Sequence, residues 1–63
     1  MSHILWEDPF CGDGNACFRI GTDSVGNAYI AVSGAEDHYV TDTRDALRAL
    51  IREVKAGKAD HLL

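Results

Sequence analysis

Residues 16–32 read ACFRIGTDSVGNAYIAV, and this stretch decides the fold. Before the central segment, Asp23 to Asn27, which is rich in turn-forming residues, every second residue shares one strand face: Ala16, Phe18 and Ile20. After it, Ala28, Ile30 and Val32 share one face in the same way. A period of two is typical of strands with one buried face, and Asp, Ser, Gly and Asn favour tight turns. The pattern predicts a β-hairpin with strands over 16–22 and 28–32.

The segments on either side of this hairpin are less regular. Residues 33–37 predict a second turn, and residues 38–41 predict a weaker third strand that completes a meander over 16–41. Residues 1–15 contain Pro and several Gly and Asn residues, so we expect an irregular arm and loop there. Trp6 and Phe10 are expected to pack this arm against the core.

The C-terminal third predicts a helix over 44–56. Four apolar residues at helical spacing form one stripe: Leu47, Leu50, Ile51 and Val54. Thr43 suits the N-cap, where its hydroxyl accepts from a free backbone N–H. Asp45 in the first turn and Lys55 in the last turn complement the helix dipole. Gly57 suits a left-handed stop, and residues 57–63 form a short tail.

The predicted architecture is one α+β domain over 1–63. It is a small antiparallel three-stranded β-meander with one C-terminal α-helix packed on one face through the apolar stripe. We expect the other face, with Ala31 and Tyr39 and with Cys17 beside them, to stay uncovered. We also expect the third strand to leave an open edge, so that this side receives a partner or a second copy.

Composition narrows the class of protein. Ten acidic residues against six basic ones give a net charge of −4, which disfavours direct binding to nucleic acid. No stretch has the basic and apolar pattern of a secretory signal or the length of a membrane-spanning helix. The sequence therefore predicts a cytoplasmic protein, with Cys11 and Cys17 reduced.

The sequence gives little support for a metal site or a catalytic site. Cys11 and Cys17 stand in a Cys-x5-Cys spacing, and the three histidines form no pair at helical spacing, whereas zinc sites use close ligand pairs. No nucleophile motif occurs either. We expect no enzyme activity, no cofactor and no metal, with the cysteines acting as small hydrophobic residues.

Two groups of residues are candidates for contact with a protein partner. Arg44, Arg48 and Arg52 recur every four residues along one side of the predicted helix. This row can meet an acidic partner or phosphates, or it can be a solvated side whose charge Asp45 and Glu53 offset. The second group is aromatic, Trp6 and Tyr39, which belong either to the core or to an interface.

The order of these features resembles a known family, the small actinobacterial proteins called the domain of unknown function 397 family. The features are Trp6, Asn15-Ala16-Cys17, the strand over 28–32, Thr43 and the closing stretch over 54–60, VKAGKAD. The resemblance covers nearly the whole chain. This chain departs from the family pattern at four places, namely residues 7–10, residues 33–36, Asp42 and Leu47.

The resemblance implies a role as a partner of helix-turn-helix transcriptional regulators, in some cases in the manner of an antitoxin, and in some cases with self-association. The expected function is thus a small, non-catalytic regulatory interaction protein. The alternative is a small metal-binding or redox module that uses Cys11, Cys17 and a histidine. A third and weaker interpretation is direct nucleic-acid binding through the arginine row.

Overall fold

A computed structural model describes residues 3–12 and 17–63. They form an antiparallel sheet in the order β1-β2-β3-β4, followed by one α-helix, so the α+β class is confirmed. The elements are β1 (Leu5–Trp6), β2 (Phe18–Thr22), β3 (Asn27–Val32), β4 (Val40–Thr43), α1 (Arg44–Lys55) and a 3₁₀ turn (Asp60–Leu62).

The sheet has four strands, so the prediction of three was wrong. The extra strand is β1, in the arm that was expected to be irregular. The Glu7 N–H donates to the Ile20 carbonyl at 2.8 Å, and the Phe10 N–H donates to the Phe18 carbonyl at 2.8 Å, so the arm follows β2 beyond β1. Sequence alternation misses this strand because β1 has only two residues.

The predicted hairpin is confirmed, with β2 and β3 in an antiparallel pair that places Ile20 opposite Ile30. Residue 16, the predicted start of the first strand, lies outside the described residues. The last strand spans Val40–Thr43 rather than 38–41, because Asp42 and Thr43 pair with Ala28 and Asn27. His38 instead closes a turn in which its N–H donates to the Ala35 carbonyl at 3.0 Å.

The helix boundaries follow the sequence closely. The Thr43 side chain accepts from the Ala46 N–H at 3.1 Å, which confirms the predicted N-cap. At the other end, Gly57 has φ 92° and its N–H donates to the Val54 carbonyl at 3.1 Å. The Lys58 N–H donates to the Glu53 carbonyl at 3.1 Å, which completes a Schellman motif.

The buried core is small and lies in the sheet. Its apolar members are Ala28, Tyr29 and Ala31, all from β3, and among the described residues no helix residue is buried. Within residues 3–12 and 17–63, no helix combines the length and the apolar character that crossing a membrane requires. What matters for function is therefore how the two faces of the sheet are covered.

Candidate interaction surface

One face of the sheet is closed by aromatic rings packed around a glycine. Gly21 pairs with Trp6 on one side and with Tyr29 on the other. A Cβ atom at Gly21 would stand 2.9 Å from the Trp6 ring and 2.6 Å from the Ile4 side chain. Tyr39 completes the group with its ring edge-on to Tyr29, centroids 5.0 Å apart. We call this the sealed face.

Arg19 contacts several parts of the sealed face at once. Its Nε and one terminal nitrogen donate to the Glu7 carbonyl at 3.1 and 2.9 Å, and the other terminal nitrogen donates to the Glu36 carboxylate at 3.0 Å. The guanidinium carbon also lies 6.0 Å from the centre of the Trp6 ring. The Arg19 guanidinium lowers the pKa of Glu36. Arg19 thus connects the arm to the β3–β4 loop.

Asp23 organises the β2–β3 turn from a buried position. Its carboxylate accepts from the Val25 and Asn27 backbone N–H groups at 2.9 and 3.0 Å, from the Asn27 amide at 3.1 Å and from the Tyr29 hydroxyl at 2.6 Å. These bonds, the one from Tyr29 first, hold the pKa of Asp23 well below its ordinary value and raise the pKa of Tyr29. Asp23 therefore has a structural role.

The opposite face is apolar and largely uncovered. We call it the open face, and it consists of Phe10, Phe18, Ile20, Ile30, Val32, Val40 and the helix residues Leu47 and Leu50. Phe18 is 64% exposed and Val40 is 67% exposed, although both belong to strands that would ordinarily bury this face. A hollow lined by Phe10, Phe18, Ile20, Ile30 and Leu50 runs beside the helix.

The helix only partly covers the open face. Leu47 and Leu50 contact the region of Ala28, Ile30 and Val40, as their spacing predicts. Leu50 nevertheless remains 47% exposed, and Ile51 and Val54 are also exposed. The prediction that the whole stripe packs on the sheet was therefore wrong, because helical periodicity says which residues share a side and not what lies opposite them.

The expected open side of the sheet was also wrong. Ala31 is buried on the sealed face, and Trp6, Arg19 and Tyr39 cover that side. The arm causes this reversal because β1 brings Trp6 across from Tyr29. Trp6 is half-buried within the aromatic group, and Tyr39 keeps an exposed part. As partner-contact candidates, Trp6 and Tyr39 lie apart from the open face.

Cys11 and Cys17 form a disulfide, so the prediction of reduced cysteines was wrong. Phe10 forms an antiparallel bridge with Phe18, which sets the next residues of the two segments opposite each other with Cα atoms 4.9 Å apart. The two cysteines thereby fasten the arm to β2 beside the open face. The sequence signal is a Cys-x5-Cys segment flanked by two phenylalanines.

The arginine row lies on an exposed side of α1. Arg48 pairs with Asp45 at 2.7 Å, whereas Arg44 and Arg52 have no ion pair among the described residues. At 100° per residue, Arg48 and Arg52 point away from the direction of Leu50. The row and the open face are therefore separate surfaces.

The described residues contain no group of three or more His, Cys, Asp or Glu side chains that are placed to hold a metal ion. His38 pairs with its exposed neighbour Asp37 at 3.4 Å. The disulfide occupies both sulfur atoms, so neither is a thiolate ligand in this state.

No family profile, curated protein or solved structure matches this chain. Its fold and its surfaces are therefore interpreted from its own residues.

Proposed function

We propose that this chain is a non-catalytic interaction protein that modulates a helix-turn-helix transcriptional regulator. The observation that carries this proposal is the open face. Large contiguous apolar surfaces on small domains mark sites of protein contact. The resemblance drawn from the sequence supplies the class of partner.

The arginine row is proposed as a second, charged contact with the regulator. It is exposed, it lies apart from the open face, and two of its three side chains have no ion pair among the described residues. Exposed charges of this kind guide association and set orientation more than they add affinity. An acidic patch on the regulator is the complementary surface.

The test is binding to purified helix-turn-helix regulators from the same genome, measured by calorimetry with and without operator DNA. Arg52→Gln should weaken binding by about twofold to fivefold, in the range of an exposed ion pair. Lys58→Gln is the matched control, because it removes one positive charge beyond the helix end, where Lys58 pairs with Glu53. Absence of binding by the unmodified protein would contradict the proposal.

A redox role of Cys11 and Cys17 is the second candidate, and the disulfide is the observation that favours it. Cys11 is exposed, so a small thiol reductant can reach the bond. If regulator binding is the same with oxidised and with reduced protein, the redox candidate fails and the first proposal is unaffected.

A further inference from the structure

The sheet is wider than the single helix that lies on it. A helix is about 10 Å across, which is the width of roughly two strands at a spacing of about 4.8 Å. The sheet has four strands, and α1 lies against β3 and β4. Its Leu50 reaches the hollow beside Ile20 on β2. Among the described residues, no helix covers the half of the open face over β1 and β2, and this half has the width of one helix.

The uncovered half is apolar on its floor and along one side. Its floor consists of Leu5, Phe10 and Phe18, each more than half exposed, and Leu5 belongs to this face because it alternates with Trp6. Leu50 and Val54, one helical turn apart on α1 and both exposed, form the side. We call this the trough. An apolar floor beside an apolar helix flank fits the apolar stripe of a second, amphipathic helix.

The charged side chains that the strand register places on this face are acidic. The Glu7 N–H donates to the Ile20 carbonyl, which continues the β1–β2 register, and alternation with Trp6 places the Glu7 side chain on the open face at the outer rim of the trough. At the opposite edge of the sheet, Asp42 stands opposite Ala28 and lines the hollow beneath α1. Both edges of the open face thus carry a carboxylate.

The basic side chains lie elsewhere. Among the described residues, Arg19 belongs to the sealed face, and the arginine row and Lys55 share the side of α1 that points away from Leu50. Lys58 lies beyond the helix end and pairs with Glu53. A helix that enters the trough therefore meets negative charge at its flanks, which favours Lys or Arg beside its apolar stripe.

From the free width of the sheet, the apolar trough and the acidic rim, we propose that the open face binds an amphipathic helix of a partner protein that carries Lys or Arg on both sides of its apolar stripe. The bound helix lies beside α1, with the two axes about 8–10 Å apart, across β2 and the arm. The inference rests on the proposed function for the source of the helix, the helix-turn-helix regulator, and it adds the chemistry of the contact.

The probe is a library of random peptides of about 16 residues, or roughly four helical turns, displayed on phage and selected on the immobilised oxidised protein. Selected peptides should share apolar residues at helical spacing, with Lys or Arg beside that stripe. They should also gain helical circular dichroism when they bind in solution.

Variants locate the bound peptide. Phe18→Gln should weaken binding at least about tenfold, because it removes an aromatic ring from the floor without adding charge. Its matched control is Val25→Gln, since Val25 is 73% exposed but lies in the β2–β3 turn. Glu7→Gln should weaken binding by about twofold to fivefold, in the range of an exposed ion pair. Asp45→Asn removes a carboxylate from the far side of α1, and both controls should leave binding unchanged.

The fluorescence of the single tryptophan, Trp6, reports the sealed face and verifies that each variant is folded. If Phe18→Gln does not fold, Phe10→Gln makes the same test from the arm. A selection that yields no peptide, or peptides that are acidic or lack helical spacing, overturns the proposal. Binding that the floor variants leave intact overturns it as well. A dimer of the protein that Phe18→Gln disrupts and that no peptide displaces also overturns it and assigns the face to a second copy.

The proposed function fails separately from this inference. If selected helices bind the trough but helix-turn-helix regulators do not bind the protein, the inference is upheld and the proposed function is defeated. If the regulators bind and Phe18→Gln leaves that binding intact while the selection yields no helix, the inference is overturned and the proposed function stands.

Discussion

The two faces of the sheet are built from the same strands but are stabilised in different ways. The sealed face combines aromatic rings with polar groups that satisfy one another, such as Arg19 with Glu36 and Asp23 with Tyr29. The open face consists of apolar side chains, and Phe10, Phe18 and Val40 among them keep more than half of their area exposed to water. Specific hydrogen bonds thus complete one face within a single copy, whereas the other requires added surface. The difference separates what folds the chain from what it offers to a partner.

The largest expected effect on stability comes from a substitution at Gly21, at the centre of the sealed face. Gly21→Ala should destabilise the fold by about 1–3 kcal/mol, because the new methyl group collides with Trp6 and Ile4. Urea unfolding measures the loss. Gly12→Ala is the control, since a Cβ at Gly12 meets nothing within 4 Å, and it should change stability by less than about 0.5 kcal/mol. Equal effects of the two variants would show that Trp6 does not pack against Gly21.

The second prediction concerns the disulfide beside the open face. The double variant Cys11→Ser and Cys17→Ser should lose about 2 kcal/mol of stability, the value expected for a closed loop of roughly seven residues. The arm beyond β1 should loosen at Phe10, while Trp6 fluorescence in the folded state stays unchanged because Trp6 belongs to the sealed face.

Thermal unfolding with and without a thiol reductant supplies the measurement. The reductant should lower the midpoint of the unmodified protein and leave that of the double variant unchanged. A reductant effect of the same size on both proteins would contradict a stabilising role of the bond between Cys11 and Cys17.

Local signals explain which parts of this fold can be predicted from sequence. The cap at Thr43, the stop at Gly57 and the strand β3 all depend on residues within a few positions of each other, and all three are confirmed. The strand β1 depends on pairing with β2 across the disulfide-closed loop. Nothing near Leu5 or Trp6 signals that pairing.

The open face shows more clearly that sequence analysis predicts local features but not how the elements pack. Alternation correctly placed Phe18 and Ile20 together, and helical spacing placed Leu47 with Leu50. Which face stays open depends on where the arm lies and on how closely the helix approaches, and these are distances between elements. Sequence periodicity carries no information about such distances, so the open side was assigned to the wrong face.

The last prediction concerns how the stability of the fold depends on pH through Asp23. Near neutral pH this dependence is the smallest of the expected effects. The bonds from Tyr29 and Asn27 lower the pKa of the folded Asp23 carboxyl below the unfolded value of about 3.9. A lowered folded pKa means that ionised Asp23 stabilises the fold fully above the unfolded pKa, and that this contribution is lost as the pH falls toward the folded pKa. Stability from this group should thus be flat between pH 7 and about pH 5 and should decrease below about pH 4.

Asp23→Asn should have a lower urea midpoint at neutral pH and a smaller further loss on acidification than the unmodified protein. Glu36→Gln is the control for the other lowered carboxyl, whose partner is Arg19, and it should leave the Asp23 part of the acid loss in place. An Asp23→Asn protein that loses as much stability between neutral and acid pH as the unmodified protein would show that the bonds to Asp23 do not stabilise its ionised form.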